Sequence, residues 1–212
     1  MIRVKFCGIT QESDALAASR LGIHALGFVF VKDTPRYIDP DKAIKVINVL
    51  SPMIMRVGVF MNSEITELEN IASKCKLDII QLHGEEDSSF CSKIKDNYRV
   101  IKTLKVKDSS ILEEIPKYKD VADAVLLDAF SEKYAGGTGK SFDWKIAKDA
   151  RRIGLPIILS GGLNPDNIKD AVREVNPYAV DVSSGIESSP GIKDQELMGR
   201  FIASIWEEEW GL

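Results

Sequence analysis

Eight short runs rich in Val, Ile and Phe recur along the chain, each followed by a stretch of helical periodicity, and this count constrains the fold more than any other feature. The runs are Ile2 to Cys7, Ala25 to Val31, Met55 to Phe60, Asp78 to His83, Arg99 to Leu104, Ala124 to Asp128, Pro156 to Ser160 and Tyr178 to Ser184, and a helix-like stretch over about 194–209 closes the chain. Several runs are apolar on consecutive residues, as in Val57-Gly58-Val59-Phe60 and Ile157-Ile158-Leu159. That pattern suits strands covered on both faces of a parallel sheet. Eight such units in 212 residues predict an α/β fold, a single (β/α)8 TIM barrel with a parallel eight-stranded core occupying residues 1–212. An open doubly wound sheet is the alternative, but no Gly-x-Gly-x-x-Gly follows the first run and eight even units close more naturally than they stay open.

Helix starts support the alternation. Asp39-Pro40-Asp41, Asn164-Pro165-Asp166 and Asp143 each place a capping side chain ahead of an apolar periodic stretch. With 44% hydrophobic and 28% charged residues, the chain is long enough for one large core and short for two. Its net charge of -4 is mild, and no basic cluster interleaved with aromatics supplies the footprint that nucleic-acid binding needs. No apolar stretch approaches the roughly 20 residues required to span a bilayer, so a cytoplasmic protein is expected. The odd count of widely spaced cysteines, Cys7, Cys75 and Cys91, suits reduced thiols better than a disulfide frame or a zinc site. The two histidines and scattered carboxylates show no metal-ligand spacing, and there is no Gly-x-Ser-x-Gly nucleophile elbow.

In a barrel of this kind the carboxyl ends of the strands face the active-site mouth. Cys7 ends the first run and Asp128 the sixth, so a thiol and a carboxyl converge from different sides of the rim as an acid/base pair in outline. A buried strand-end cysteine with no chemistry is the competing reading of Cys7. The last two runs end in Ser160-Gly161-Gly162 and Asp181-Val182-Ser183-Ser184-Gly185, where barrels commonly hold a phosphate and where glycine lets backbone amides approach an oxyanion. Arg36 follows the second run and suits a carboxylate clamp, or else a solvated surface position. His83 ends the fourth run and is either a ligand contact or a rim histidine satisfied by neighbours. His24 reads as peripheral. Gly139-Lys140-Ser141 imitates the end of a nucleotide-binding loop, but Tyr134 stands where that loop needs glycine; a glycine-rich rim loop able to fold over a substrate is the better account.

Taken together, Val4-Lys5-Phe6-Cys7-Gly8-Ile9-Thr10, Gly27-Phe28-Val29-Phe30, Arg36-Tyr37-Ile38, Gln81-Leu82-His83-Gly84, Gly136-Gly137-Thr138-Gly139, Ser160-Gly161-Gly162-Leu163 and Val180-Asp181-Val182-Ser183-Ser184-Gly185 resemble, in order and over nearly the whole chain, the blocks of the phosphoribosylanthranilate isomerase family of tryptophan biosynthesis. The resemblance implies a (β/α)8 barrel, an aldose-ketose isomerase that performs an Amadori rearrangement of N-(5'-phosphoribosyl)anthranilate to 1-(2-carboxyphenylamino)-1-deoxyribulose 5-phosphate, with no metal and no organic cofactor. It further implies Cys7 as general base, Asp128 as general acid, Arg36 at the anthranilate carboxylate, Asp181 at the sugar, and the Ser160-Gly161-Gly162 and Ser183-Ser184-Gly185 turns as the phosphate cradle. The expected partner is this small phosphosugar, with the chain a monomer or a homodimer. Thr34 stands where serine is commoner, and Ala129-Phe130 after Asp128 is more apolar than usual.

A free carboxyl titrates near 3.9 and a thiol near 8.5, so the proposed acid and base both require tuning: burial raises the first and nearby positive charge lowers the second. Lys5 is a candidate source of that charge if its side chain points into the barrel. Two other functions compete. The related isomerase of histidine biosynthesis typically has aspartate where Cys7 stands and needs two phosphate sites, of which this chain shows one strong candidate. A non-catalytic phosphosugar-binding barrel needs neither Cys7 nor Asp128.

Overall fold

The structure is a computed structural model that describes residues 2–129 and 142–210. Eight parallel strands, β1 (Arg3–Cys7), β2 (Ala25–Val29), β3 (Met55–Phe60), β4 (Ile79–Leu82), β5 (Arg99–Val106), β6 (Ala124–Ala129), β7 (Ile157–Leu159) and β8 (Ala179–Val182), pair in chain order and close with β8 beside β1. Helices α1 (Glu12–Arg20), α2 (Pro40–Asn48), α3 (Ile65–Lys74), α4 (Ser88–Lys95), α5 (Ile111–Glu114), α6 (Trp144–Ala150), α7 (Ile168–Val175) and α8 (Gln195–Trp210) follow the strands in turn. The predicted alternation and barrel hold. The glycine-rich segment 134–141 with its nucleotide-loop decoy lies outside the described residues.

Side chains on a strand alternate faces, and the barrel divides them accordingly. Val4 and Phe6 of β1 join the large core between barrel and helices, where Phe6 meets Phe201 of α8 edge-on with ring centroids 6.0 Å apart. Lys5 and Cys7 take the other face. The floor of the lumen is a separate apolar plug of Ile101, Ala124, Leu126, Ile158 and Ala179. Nearer the mouth Cys7 packs with Val29 and Val59. Between these apolar groups lie buried polar residues, Lys5, Gln81, Thr103 and Asp181.

Two of the expected caps form as the sequence predicts: Asp39 accepts from the Asp41 amide ahead of α2, and Asp143 from the Lys145 amide ahead of α6. Asn164 is displaced. Its Oδ1 accepts from the Asp166 and Asn167 amides in a turn, and α7 begins only at Ile168. The sequence reading also lacks an antiparallel hairpin after β8, formed by β9 (Glu187–Ser189) and β10 (Ile192–Lys193). Strands of three and two residues joined across Pro190-Gly191 leave no periodic signal to detect.

Candidate active site

The carboxyl ends of the strands open into a cavity of about 760 Å³, counting the solvent-filled mouth. Cys7, Arg36, His83, Asp128, Asp181, Ser160, Gly161, Gly162, Ser183 and Ser184 all line it. Of the residues predicted from sequence, Gly185 alone is not on its wall. A Cβ at Gly185 would sit 1.9 Å from the Leu163 carbonyl oxygen, so the glycine there is required by close backbone packing between the last two turns. Gly161 is under a similar constraint, with φ +85° and a Cβ position 2.5 Å from the Ala129 amide nitrogen. A larger residue at either turn therefore strains the fold itself, apart from any effect on an approaching anion.

Lys5 does point into the barrel. Its Nζ lies 2.8 Å from Asp181 Oδ1, both side chains nearly inaccessible, and Ser160 Oγ reaches Asp181 Oδ2 at 3.4 Å. Burial disfavours the lysine charge, but Asp181 and Cys7 outweigh it and hold the Lys5 pKa above its ordinary value. For Cys7 the balance falls the other way. Burial, helped by the Asp181 charge, pushes the thiol up by more than Lys5 and Lys193 pull it down, so in the ligand-free protein its pKa is raised. Gly27 of β2 explains how the two side chains share the space: a Cβ there would lie 2.7 Å from Cys7 Sγ and 3.1 Å from Lys5 Cε. The strand gives up a side chain to make room for the thiol.

Across the lumen, His83 Nε2 stands 3.5 Å from Asp128 Oδ2, and its Nδ1 is 3.2 Å from Gln81 Nε2, which also donates to Thr103 Oγ1. Asp128 Oδ1 accepts from the Ala129 amide at 3.0 Å. His83 is thus a neighbour of the carboxyl as well as a wall of the cavity. Arg36 is not a solvated surface charge. Its Nε and Nη2 bind the two oxygens of Glu187 at 2.9 and 2.7 Å, and Lys193 Nζ adds a third donor to Glu187 Oε1 at 2.9 Å. Burial alone would raise the Glu187 pKa, yet the paired Arg36 and Lys193 lower it; Lys193 is itself lowered, because its burial exceeds what Glu187 restores.

Sequence reasoning missed Glu187, Lys193 and the buried Lys102–Glu86 pair, whose 2.7 Å contact ties β5 to the loop after β4. Glu86 there also accepts from the Asn62 and Gly84 amides, at 2.7 and 2.9 Å. A signal existed only for Lys5, a charge two residues from Cys7 and so on the same strand face. His24 is peripheral as expected, its Nδ1 accepting from the Val4 amide. Cys75 and Cys91 are buried in packing roles, with burial pushing the Cys91 thiol up to about 11. Among the described residues no three His, Cys, Asp or Glu side chains group as a metal site, and no helix is long and apolar enough to cross a membrane.

A thiol and a carboxyl on the wall of one cavity, with glycine turns beside them, mark an acid/base enzyme built on a (β/α)8 barrel. A family model described as N-(5'-phosphoribosyl)anthranilate (PRA) isomerase matches residues 4–204. The curated N-(5'-phosphoribosyl)anthranilate isomerase of Trichlorobacter lovleyi is 46% identical over 207 residues, covering 98% of this chain and 99% of that protein. A crystal structure of phosphoribosyl anthranilate isomerase from Thermotoga maritima superposes with TM-score 0.91 at 41% identity, covering all of both chains. A phosphoribosyl anthranilate isomerase crystallised in complex with reduced 1-(o-carboxyphenylamino)-1-deoxyribulose 5-phosphate superposes with TM-score 0.88 at 40% identity over 97% of this chain and 98% of that one. The chain belongs to the N-(5'-phosphoribosyl)anthranilate isomerase family, and its activity is that isomerisation in tryptophan biosynthesis.

Proposed function

We propose that Cys7 and Asp128 carry the two proton transfers of the Amadori rearrangement at the mouth of this barrel. Asp128, protonated, gives its proton to the ribose ring oxygen as the C1–O bond breaks and the amine nitrogen lone pair forms a C1=N iminium. Cys7, as thiolate, then removes the proton from C2, and those electrons neutralise the iminium as a C1=C2 enolamine. Return of a proton from the Cys7 thiol to C1 and of the enol proton to Asp128 yields the aminoketose and restores both groups. Neither transfer calls for a metal or an organic cofactor.

Binding roles follow from position on the wall, and for Gly185 from its place in the turn beside Ser184. Arg36 receives the anthranilate carboxylate, His83 stands beside the acid and against the substrate, Asp181 meets the sugar hydroxyls, and the Ser160-Gly161-Gly162 and Ser183-Ser184-Gly185 turns hold the phosphate. The complex of the 40% identical relative with the reduced aminoketose phosphate supports a phosphosugar ligand. The enzyme acts in the cytoplasm, a location supported by three buried free thiols, as a monomer or homodimer of one barrel spanning 1–212.

The observation that carries this reading is the convergence of Cys7 and Asp128 on one cavity from strands β1 and β6. Asp128→Asn keeps shape and hydrogen bonding but has no proton of suitable acidity to deliver. Its kcat should fall by about 10²–10⁴-fold with KM little changed. Full turnover in Asp128→Asn would place the acid elsewhere. The histidine-pathway isomerisation would be supported instead by faster turnover of its two-phosphate substrate than of phosphoribosylanthranilate.

A further inference from the structure

Arg36 is held by a device that the catalytic assignment leaves unexplained. The arginine sits in the loop after β2, on the cavity wall, but its guanidinium is fixed from behind by Glu187, which belongs to the hairpin β9–β10 and is 151 residues away in sequence. The Glu187 side chain is 4% exposed and that of Lys193 is 0% exposed, so this cluster is interior. The hairpin itself is fastened to the neighbouring turns and to α1. Thr10 Oγ1 donates to the Gly191 carbonyl, the Lys193 amide donates to Asp14 Oδ2 at 2.9 Å, and Lys193 Nζ donates to the Ser183 carbonyl at 3.1 Å. Glycines mark two further close approaches. A Cβ at Gly191 would lie 2.6 Å from the Pro35 carbonyl oxygen, and one at Gly8 would lie 2.7 Å from Arg36 Cδ. Gly8 has φ +77°, in the left-handed region that favours glycine. Arg36 is therefore pinned along its stem by the Cys7-Gly8 turn and at its head by Glu187.

An arginine carries five N–H donors in a planar fork. Glu187 engages Nε and one hydrogen of Nη2, which leaves Nη1 and the second Nη2 hydrogen as an end-on pair. That remaining edge matches a second carboxylate bidentately, provided that the guanidinium plane is fixed.

We propose that Glu187, braced by Lys193 and the β9–β10 hairpin, is the positioning residue that aims Arg36 at the substrate carboxylate and so sets the preference for a carboxylated aryl amine. Glu187 does not line the cavity and acts only through Arg36. The inference rests on the reading of Arg36 above, and the experiment separates the two.

The test is a double-mutant cycle of Glu187→Gln and Arg36→Met, with kcat and KM for phosphoribosylanthranilate and binding of the reduced aminoketose phosphate with and without its ring carboxylate. Glu187→Gln should raise KM on the order of tenfold or more, with kcat within about threefold of the parent. It should abolish most of the affinity difference between the two analogues, and its effect should vanish in the Arg36→Met background. Equal losses for both analogues, or an effect that persists without Arg36, would overturn the inference. If Arg36→Met itself leaves the carboxylate preference intact, the reading of Arg36 fails; if Arg36→Met removes the preference but Glu187→Gln does not, only the role of Glu187 fails. Should Glu187→Gln not fold, Glu187→Asp, which keeps the charge but withdraws it by one methylene, is read against the same outcomes.

Discussion

Gly27→Ala is the smallest change that should separate chemistry from binding in this enzyme. A glycine inside a strand gives up packing and conformational entropy, so its presence asks for a reason. Here the reason is Cys7: the added Cβ would lie 2.7 Å from Sγ, 3.1 Å from Cys7 Cα and 3.1 Å from Lys5 Cε. Non-bonded heavy atoms rest at roughly 3.5–4.0 Å, so the thiol must retreat by about 1 Å. A displacement of about 1 Å in a reacting group costs around 10²-fold, and that is the expected loss in kcat, followed as the decline of substrate fluorescence on freshly prepared phosphoribosylanthranilate. Overpacking of this kind costs about 1–3 kcal/mol of stability, or some 2–12 °C in Tm for a domain of this size. The phosphate turns and Arg36 are untouched, so the reduced aminoketose phosphate should still bind within a few-fold of the parent. Gly199→Ala is the matched comparator, since nothing lies within 4 Å of its added Cβ, and it should leave kcat unchanged while gaining up to about 1 kcal/mol in α8. A Gly27→Ala enzyme with parental kcat would show that the thiol position is not what the glycine protects, and would remove the geometric argument for Cys7 as base.

Three further outcomes follow from the charges and turns. Because the Cys7 pKa is raised, alkylation of its thiol by iodoacetamide should still be accelerating above the ordinary thiol range of about 8.5; Lys5→Met removes the nearest cation and should move that limb higher, while a shift to lower pH would show that Lys5 does not act on the thiol. Lys102→Met leaves Glu86 buried without its partner and should cost about 3–5 kcal/mol in urea unfolding, so a loss below about 1 kcal/mol would show that the pair is dispensable. Gly161→Val combines a positive φ with a backbone clash at Ala129 and should lower Tm before any binding defect is measurable, whereas a variant of parental Tm that fails only to bind phosphate would restore the simpler anion-approach role.

The period of the chain explains why the barrel was legible and parts of its site were not. Alternating strand and helix stretches are local signals, and Met55–Phe60 reads in sequence as it stands in the fold because one apolar run coincides with one strand. The residues at strand ends follow from the same count: once Cys7 and Asp128 terminate the first and sixth runs, barrel geometry brings them to one mouth. Charge pairing across the lumen has no such local trace. Lys5 meets Asp181 only when β8 closes on β1, a register of Lys5 opposite Asp181 that no window of sequence contains.

The hairpin is a harder case still. Glu187 and Lys193 sit where turn-forming residues suggest a plain loop, and their burial depends on the gap between the turns after β1 and β2 that the hairpin fills. What the sequence does display at those contacts is indirect, a glycine at Gly8, Gly27 and Gly191 wherever another side chain or backbone needs the space. These three glycines record the site as a mould records its cast: each marks a place where the thiol, the arginine or the hairpin comes closer than a Cβ would allow. Sites of this kind are best sought from the omitted side chains inward, because closure-dependent ion pairs become visible only after the backbone has been brought together.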